Sequence, residues 1–224
     1  MPTSAAKKRR AAKILKVLQN AYPGATIALK FDNLIHLLVA VILSAQCTDK
    51  KVNQVTETLF KKYKTVDDFA DANSKTFEQE IRPTGFYRTK TRNIIAAAKM
   101  LRKDFGGTVP KTIEEMLRLP GVARKTANVV LGNAYGVVEG IAVDTHVRRL
   151  SQRLGFSTDA DPVKIEQDLM QLFPKKDWFK LTYTLIDHGR VVCKAPTPKC
   201  EVCPVMKLCP TGRKRLRLTT LPKE

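Results

Sequence analysis

An all-α fold is what this sequence predicts, on three observations. Apolar residues recur at helical spacing along most of the 224 residues. All 12 prolines fall at the ends of those stretches or between them, where a missing N–H and a fixed φ do no harm. Strand-like alternation is scarce, Val137 to Val143 being the one ambiguous run.

The elements follow in order. Leu34 to Leu43 is the longest apolar stretch; His36 interrupts it, and it is too short to span a bilayer. Val52, Val55, Leu59, Phe60 and Tyr63 then repeat at i, i+3, i+7, i+8 and i+11, with Asp49 placed to cap the start. Ile94, Ile95, Ala98, Leu101 and Phe105 follow behind Thr89, and Gly106-Gly107 ends that helix. Ile113, Met116 and Leu117 make a short face; Ala127, Val130, Leu131 and Ala134 make the next. Val147, Leu150 and Leu154 form a face behind Asp144, and Asp161-Pro162 opens a segment carrying Ile165, Leu169, Leu172 and Phe173. Trp178 shares helical spacing with Leu181 and Leu185 and reads as core, as does Cys47. Neither an internal repeat nor a low-complexity linker is present.

Charge narrows the function classes. Forty Lys and Arg against 21 Asp and Glu give a formal net charge of +19, and such a surface attracts polyanions, nucleic acid before an anionic membrane. The excess gathers at the ends. No acid precedes Asp32, while Lys7, Lys8, Arg9, Arg10, Lys13, Lys16 and Lys30 do; Arg213, Lys214, Arg215 and Arg217 lie close together in the tail. Each run taken singly reads as a solvated end. No apolar run follows the basic start, so an intracellular protein without a secretory signal is expected.

Four of the five cysteines fall in one window, Cys193, Cys200, Cys203 and Cys209, with gaps of six, two and five residues. Two disulfides, a structural zinc ion and a four-iron cluster all compete for that spacing. Disulfides suit an oxidising compartment. Zinc favours two separated pairs, and only Cys200 and Cys203 form one. A cuboidal cluster takes one thiolate per iron from a loop wrapped around it. Pro196, Pro198, Pro204 and Pro210 stiffen the window under either metal.

Between two short helical faces lies Leu119-Pro120-Gly121-Val122-Ala123-Arg124-Lys125-Thr126-Ala127, a helix-hairpin-helix pattern. A glycine there permits close approach, and the second helix presents N–H groups that suit a phosphate; an ordinary αα-hairpin is the other reading. Lys125 falls in the first turn of that helix. The positive helix end and adjacent Arg124 both disfavour a protonated amine, which for an ordinary lysine has a pKa of about 10.4. A nucleophile and a phosphate-contacting lysine are both open at this point. Asp144 is an N-cap candidate, and capping fixes a carboxylate in direction.

With these residues in view, the chain resembles the endonuclease III branch of the helix-hairpin-helix DNA glycosylases. Ser44-Ala45-Gln46, the hairpin with Lys125, Val143-Asp144-Thr145-His146, His188-Gly189-Arg190 and the cysteine quartet carry the resemblance, in order, from about residue 15 to 209. It implies two lobes: residues 27–137 as a six-helix barrel with the hairpin, and residues 1–26 with 138–224 as a lobe holding a [4Fe-4S] cluster on Cys193, Cys200, Cys203 and Cys209. It implies double-stranded DNA with damaged bases or AP sites as partner, the damaged nucleotide being flipped out of the stack. Lys125 would attack the sugar C1′, displace the base and lead through a Schiff base to β-elimination. Asp144 would stabilise positive charge on the sugar and assist proton transfer. Oxidised pyrimidines would be the substrates; a damage-binding protein of the same fold with weak or different base specificity is the alternative.

The resemblance also assigns DNA contacts. Gln46 and Phe86 match positions that fill the gap left by the flipped base; on residue type alone Gln46 is a loop residue and Phe86 a core residue. Gly121, Ala123 and Arg124 match the phosphate-binding hairpin, and Lys194 and Lys199 lie in a phosphate-contacting loop. His36, His146 and His188 read as structural hydrogen-bonding residues, since the thiolates suffice for the cluster. Ala123 stands where a second glycine is usual, which predicts a narrower turn or one weaker phosphate contact. No proline accompanies Gly132, Gly136 and Gly140 before Asp144. A monomer in a prokaryotic cytoplasm and nucleoid is the family expectation.

Overall fold

The computed structural model describes residues 4–216, and among them the chain forms helices, turns and extended connections but no strand. The run from Val137 to Val143 is irregular chain leading into a helix. In order the α-helices are α1 (Ser4–Ala21), α2 (Leu34–Leu43), α3 (Asp49–Lys62), α4 (Val66–Ala70), α5 (Ser74–Ile81) and α6 (Tyr87–Asp104). There follow α7 (Ile113–Arg118), α8 (Arg124–Tyr135), α9 (Thr145–Arg153), α10 (Pro162–Leu172), α11 (Lys175–Val191) and α12 (Pro210–Arg215). They group into two compact units, Ala28–Glu139 and Met1–Ile27 with Gly140–Glu224. Arg217 lies outside the described residues. No described helix is long and apolar enough to cross a membrane.

The unit of Ala28–Glu139 is organised around α2. Ile35 through Leu43 are all buried, as a helix apolar on every side requires, and α3, α6 and α8 pack against it. His36, the polar interruption, stacks on Phe60 with ring centroids 3.9 Å apart, and its Nε2 donates to the Tyr63 carbonyl at 2.9 Å. It therefore acts as the structural hydrogen-bonding residue expected of it. Phe69 and Phe77 fill the space between α4, α5 and α6, edge to face with each other. Each such ring buried contributes about 1.5–3 kcal/mol.

Three local expectations in this unit are corrected. Thr48, not Asp49, caps α3: its backbone is extended and its hydroxyl accepts from Lys51 N, leaving Asp49 as a first-turn carboxylate favoured by the helix dipole. Helix α6 starts at Tyr87 behind Phe86, so Thr89 lies inside its first turn. Leu117 is 44% exposed, because the tight turn after α7 directs Met116 and Leu119 inward in its place.

In the other unit α1 buries Ala11, Ile14, Leu15 and Leu18 against Leu150 and Leu154 of the α9 region, Leu169 of α10, and Leu181 and Leu185 of α11. Asp161 caps α10 with Pro162 at its first position, as read from sequence. Trp178 is only partly buried, its indole N–H donating to the Phe173 carbonyl at 2.8 Å. Arg10 is the surprise of α1. Although it belongs to the basic run, its guanidinium turns inward and donates to the carbonyls of Leu154 (2.6 Å), Gly155 (3.1 Å) and Leu208 (3.1 Å). Truncating it leaves three acceptors at the ends of helical segments without their donor. Arg10→Ala should lower the unfolding free energy by about 2–4 kcal/mol in urea denaturation, whereas exposed Lys16→Ala should change it by less than about 0.5 kcal/mol.

Candidate functional site

In the Ala28–Glu139 unit the hairpin is a tight link between α7 and α8. Leu119 closes α7, Val122 N donates back to Leu119 O at 3.1 Å, and Gly121 sits at φ +79°. Glycine is needed there twice over. An L side chain is disfavoured at that torsion, and a Cβ would lie 2.8 Å from Asn93 Cβ on α6. The close approach that the glycine allows is thus, in part, to the protein's own α6. Ala123 has φ −91°, an extended conformation natural to any L residue, so the missing second glycine leaves the turn unstrained. As the N-cap of α8 it offers no side-chain acceptor to the first-turn N–H groups. Arg124 and Lys125 follow as the first two residues of α8, both exposed. Ala127, two residues on, is fully buried.

Gln46 and Phe86, also in this unit, share one peculiarity. They are the only non-glycine residues with positive φ among those described, at +53° and +47°. Both are exposed, Phe86 to 64%. The core role suggested by its residue type is therefore wrong: the left-handed backbone at the start of α6 turns the ring outward. Cys47 beside Gln46 is half-buried rather than core, because it belongs to the turn leaving α2.

In the other unit Asp144 is the N-cap of α9, its Oδ1 accepting from Val147 N at 2.8 Å. The half-exposed carboxylate is thereby held in one direction at a positive helix end. His146, two residues on, has Nδ1 3.2 Å from the Arg149 guanidinium.

The cysteines converge in the same unit. Cys193, Cys200, Cys203 and Cys209 line one cavity of about 330 Å3, counting its open mouth, together with Arg153 and His188. Among the described residues no three His, Cys, Asp or Glu are so grouped as to hold a metal ion; the thiols instead stand around the cavity wall. Burial pushes the Cys200 and Cys209 thiols up and the Cys203 thiol to about 11, so only a strong positive partner would hold these groups as thiolates. Donors surround them. Arg153 Nη1 lies 3.5 Å from Cys193 Sγ, Gly212 N donates to Cys209 Sγ at 3.3 Å, and His188 Nε2 lies 3.6 Å from Cys203 Sγ. Burial lowers His188 to about 4, leaving a neutral imidazole whose Nδ1 meets the Tyr22 hydroxyl at 3.0 Å. With that hydroxyl donating, the ring proton sits on Nε2 and faces sulfur. Arg149 and Arg153 both donate to the Cys193 carbonyl, and Arg153 also to those of Lys194 and Pro196. Lys194 and Lys199 stand exposed on the loop so held.

Residue types had not singled out Arg10, Arg149, Arg153, Tyr22 or Lys90 as anchoring groups. One signal was present for Lys90: it shares a helical stripe with Ile94, Ala97 and Leu101, the buried face of α6.

Comparison with known proteins agrees with this geometry. The profile of the HhH-GPD superfamily base excision DNA repair proteins matches residues 39–175. Endonuclease III of Synechocystis sp. is 49% identical over 209 residues, 93% of this chain and 95% of the relative. A structure of a non-covalent endonuclease III–DNA complex superposes with a TM-score of 0.90 at 44% identity, covering 97% of this chain and all of that one. A structure of a trapped endonuclease III–DNA covalent intermediate gives the same values.

The two demands on Gly121 can be separated experimentally. Gly107 has φ +74° but open space around its Cβ position, so Gly107→Ala should lose only the torsional preference, about 1–2 kcal/mol. Gly121→Ala adds overlap with Asn93 and should be less stable than Gly107→Ala by about 1–3 kcal/mol in urea denaturation.

Proposed function

The chain belongs to the endonuclease III branch of the HhH-GPD superfamily of base excision DNA repair proteins, and we propose that it removes oxidised pyrimidines from duplex DNA as a glycosylase and then cuts the strand as an AP lyase. The observation that carries the assignment of chemistry is Lys125, an exposed amine at the second position of α8 behind the Gly121 turn.

The steps follow from the groups available. The damaged nucleotide leaves the stack. The neutral amine of Lys125 attacks C1′; the C1′–N bond to the base breaks and the base departs with its electron pair and a proton. Opening of the sugar ring gives a Schiff base between C1′ and Nζ. Loss of a C2′ proton then expels the 3′-phosphate by β-elimination, and water releases the lysine. Asp144, fixed by its cap bond to Val147 N, stabilises the positive charge that develops on the sugar and accepts or returns the protons these steps move. Exposed Phe86 and Gln46 occupy the space the nucleotide vacates. Gly121, Ala123 and Arg124 bind phosphate through the hairpin, and Lys194 and Lys199 do so from the cysteine loop.

Cys193, Cys200, Cys203 and Cys209 would hold a [4Fe-4S] cluster. The donor set fits: four buried or half-buried thiols line one cavity, with the Arg153 guanidinium, the Gly212 N–H and the His188 imidazole close to their sulfurs. The cluster would supply a closed structural cross-link, with no position left open for substrate. We infer a bacterial protein from its bacterial relative, with a monomer acting on DNA in the cytoplasm and nucleoid as the family expectation.

Borohydride trapping on a duplex containing thymine glycol should yield a covalent protein–DNA complex with the wild type and none with Lys125→Ala. Trapping of that variant at the wild-type level would remove Lys125 as nucleophile, and tight binding by the wild type without trapping or nicking would favour a damage-binding protein. Asp144→Asn should slow base release in single-turnover assays by about 10²–10⁴-fold while DNA affinity stays within a few fold. The purified wild type should contain iron and acid-labile sulfide in equal amounts, and Cys203→Ser should lose both; zinc without sulfide would replace the cluster with a mononuclear site.

A further inference from the structure

Lys90 has no place in the chemistry above, yet it is only 4% exposed. Its ammonium donates to two backbone carbonyls, Leu43 O and Thr84 O, each at 2.8 Å. Leu43 is the last residue of α2, and Thr84 the last of a short 3-10 turn, residues 82–84. Burial pulls the Lys90 ammonium below the ordinary lysine range, against a smaller opposing effect of Cys47. Desolvating an ammonium costs several kcal/mol, and an apolar side chain on this face of α6 would avoid that. The lysine is therefore better explained by what its donors hold than by packing.

What they hold are the roots of two exposed, left-handed residues. Gln46 lies three positions after Leu43, and Phe86 two after Thr84. Positive φ disfavours each of them locally, so the surroundings must impose it. One nitrogen joins both chain segments across a separation of 41 residues in the case of Leu43 and Thr84. The geometry points to Lys90 as a positioning residue that locks the Gln46 and Phe86 loops to one another, so that both side chains enter the duplex as a single preformed unit. This rests on the reading of Gln46 and Phe86 as the residues that fill the vacated space.

The test is a mutant cycle in the full-length protein, read on two substrates. Excision of thymine glycol from a fully paired duplex requires the nucleotide to be unstacked, whereas an abasic site has no base to extract. Lys90→Met removes the donors at similar length. It should slow thymine glycol excision at least tenfold under single turnover, while borohydride trapping on abasic-site DNA stays within about threefold. In a Gln46→Ala, Phe86→Ala background, adding Lys90→Met should change excision by less than twofold. Equal losses on both substrates, an unchanged excision rate, or a full tenfold loss in that background would each overturn the proposal. If Gln46→Ala with Phe86→Ala itself leaves excision unchanged, the space-filling reading fails instead, and this proposal with it. Should Lys90→Met not fold, Lys90→Leu, which likewise lacks a donor, carries the same comparison; failure of both to fold would make Lys90 purely structural and overturn the proposal.

Discussion

Carbonyls at the ends of helices and turns must be satisfied, and in this protein buried and half-buried cations do much of that work. A helix leaves its last four carbonyls without internal partners, and each one buried unmet costs about 1–3 kcal/mol. Arg10 meets the carbonyls of Leu154, Gly155 and Leu208; Arg149 meets those of Gly189 and Cys193; Arg153 meets Lys194 and Pro196. Lys90 does the same for Leu43 and Thr84. Part of the +19 charge is therefore engaged within the protein rather than standing free on its surface. What remains outside, including Lys125, Arg124, Lys194 and Lys199, is available to a polyanion.

The same device separates rigidity from chemistry. The cysteine loop is held from outside by arginines on α9 and from within by the N–H of Gly212 and the imidazole of His188. Burial pushes the Cys203 thiol up to about 11, so the proposed cluster would be what draws the proton off it and would tie the loop's order to metal binding. Lys125 and Asp144 are arranged differently. Each sits at the start of a helix, exposed or half-exposed, where the backbone fixes the residue without burying its functional group. Groups that react with a macromolecule must stay reachable, whereas groups that hold a loop are best enclosed.

Most of the architecture was legible from local patterns. The apolar stripes, the Asp144 and Asp161 caps and the Gly-Gly stop at 106–107 are short-range signals, and the helices follow them. The hairpin, Lys125 and the cysteine quartet are contiguous motifs and were equally readable. Errors fell where a residue had two plausible states and only its neighbours choose. Phe86 read as core by type, but the left-handed turn behind Gly85 exposes it. Arg10 read as part of a solvated basic run, but α1 docks with that face inward.

Chain order alone thus determined the helical class, the family motifs and the candidates for the reacting groups, because each depends on residues close in sequence. The tertiary structure alone decided which cations are spent on carbonyls, which aromatic ring faces solvent, and that Leu43 and Thr84 share one ammonium. Those outcomes depend on contacts between segments far apart in the chain. Burial and hydrogen-bond satisfaction are properties of the packed whole; the helical stripe marks Lys90 for burial, but no local pattern names the carbonyls it meets.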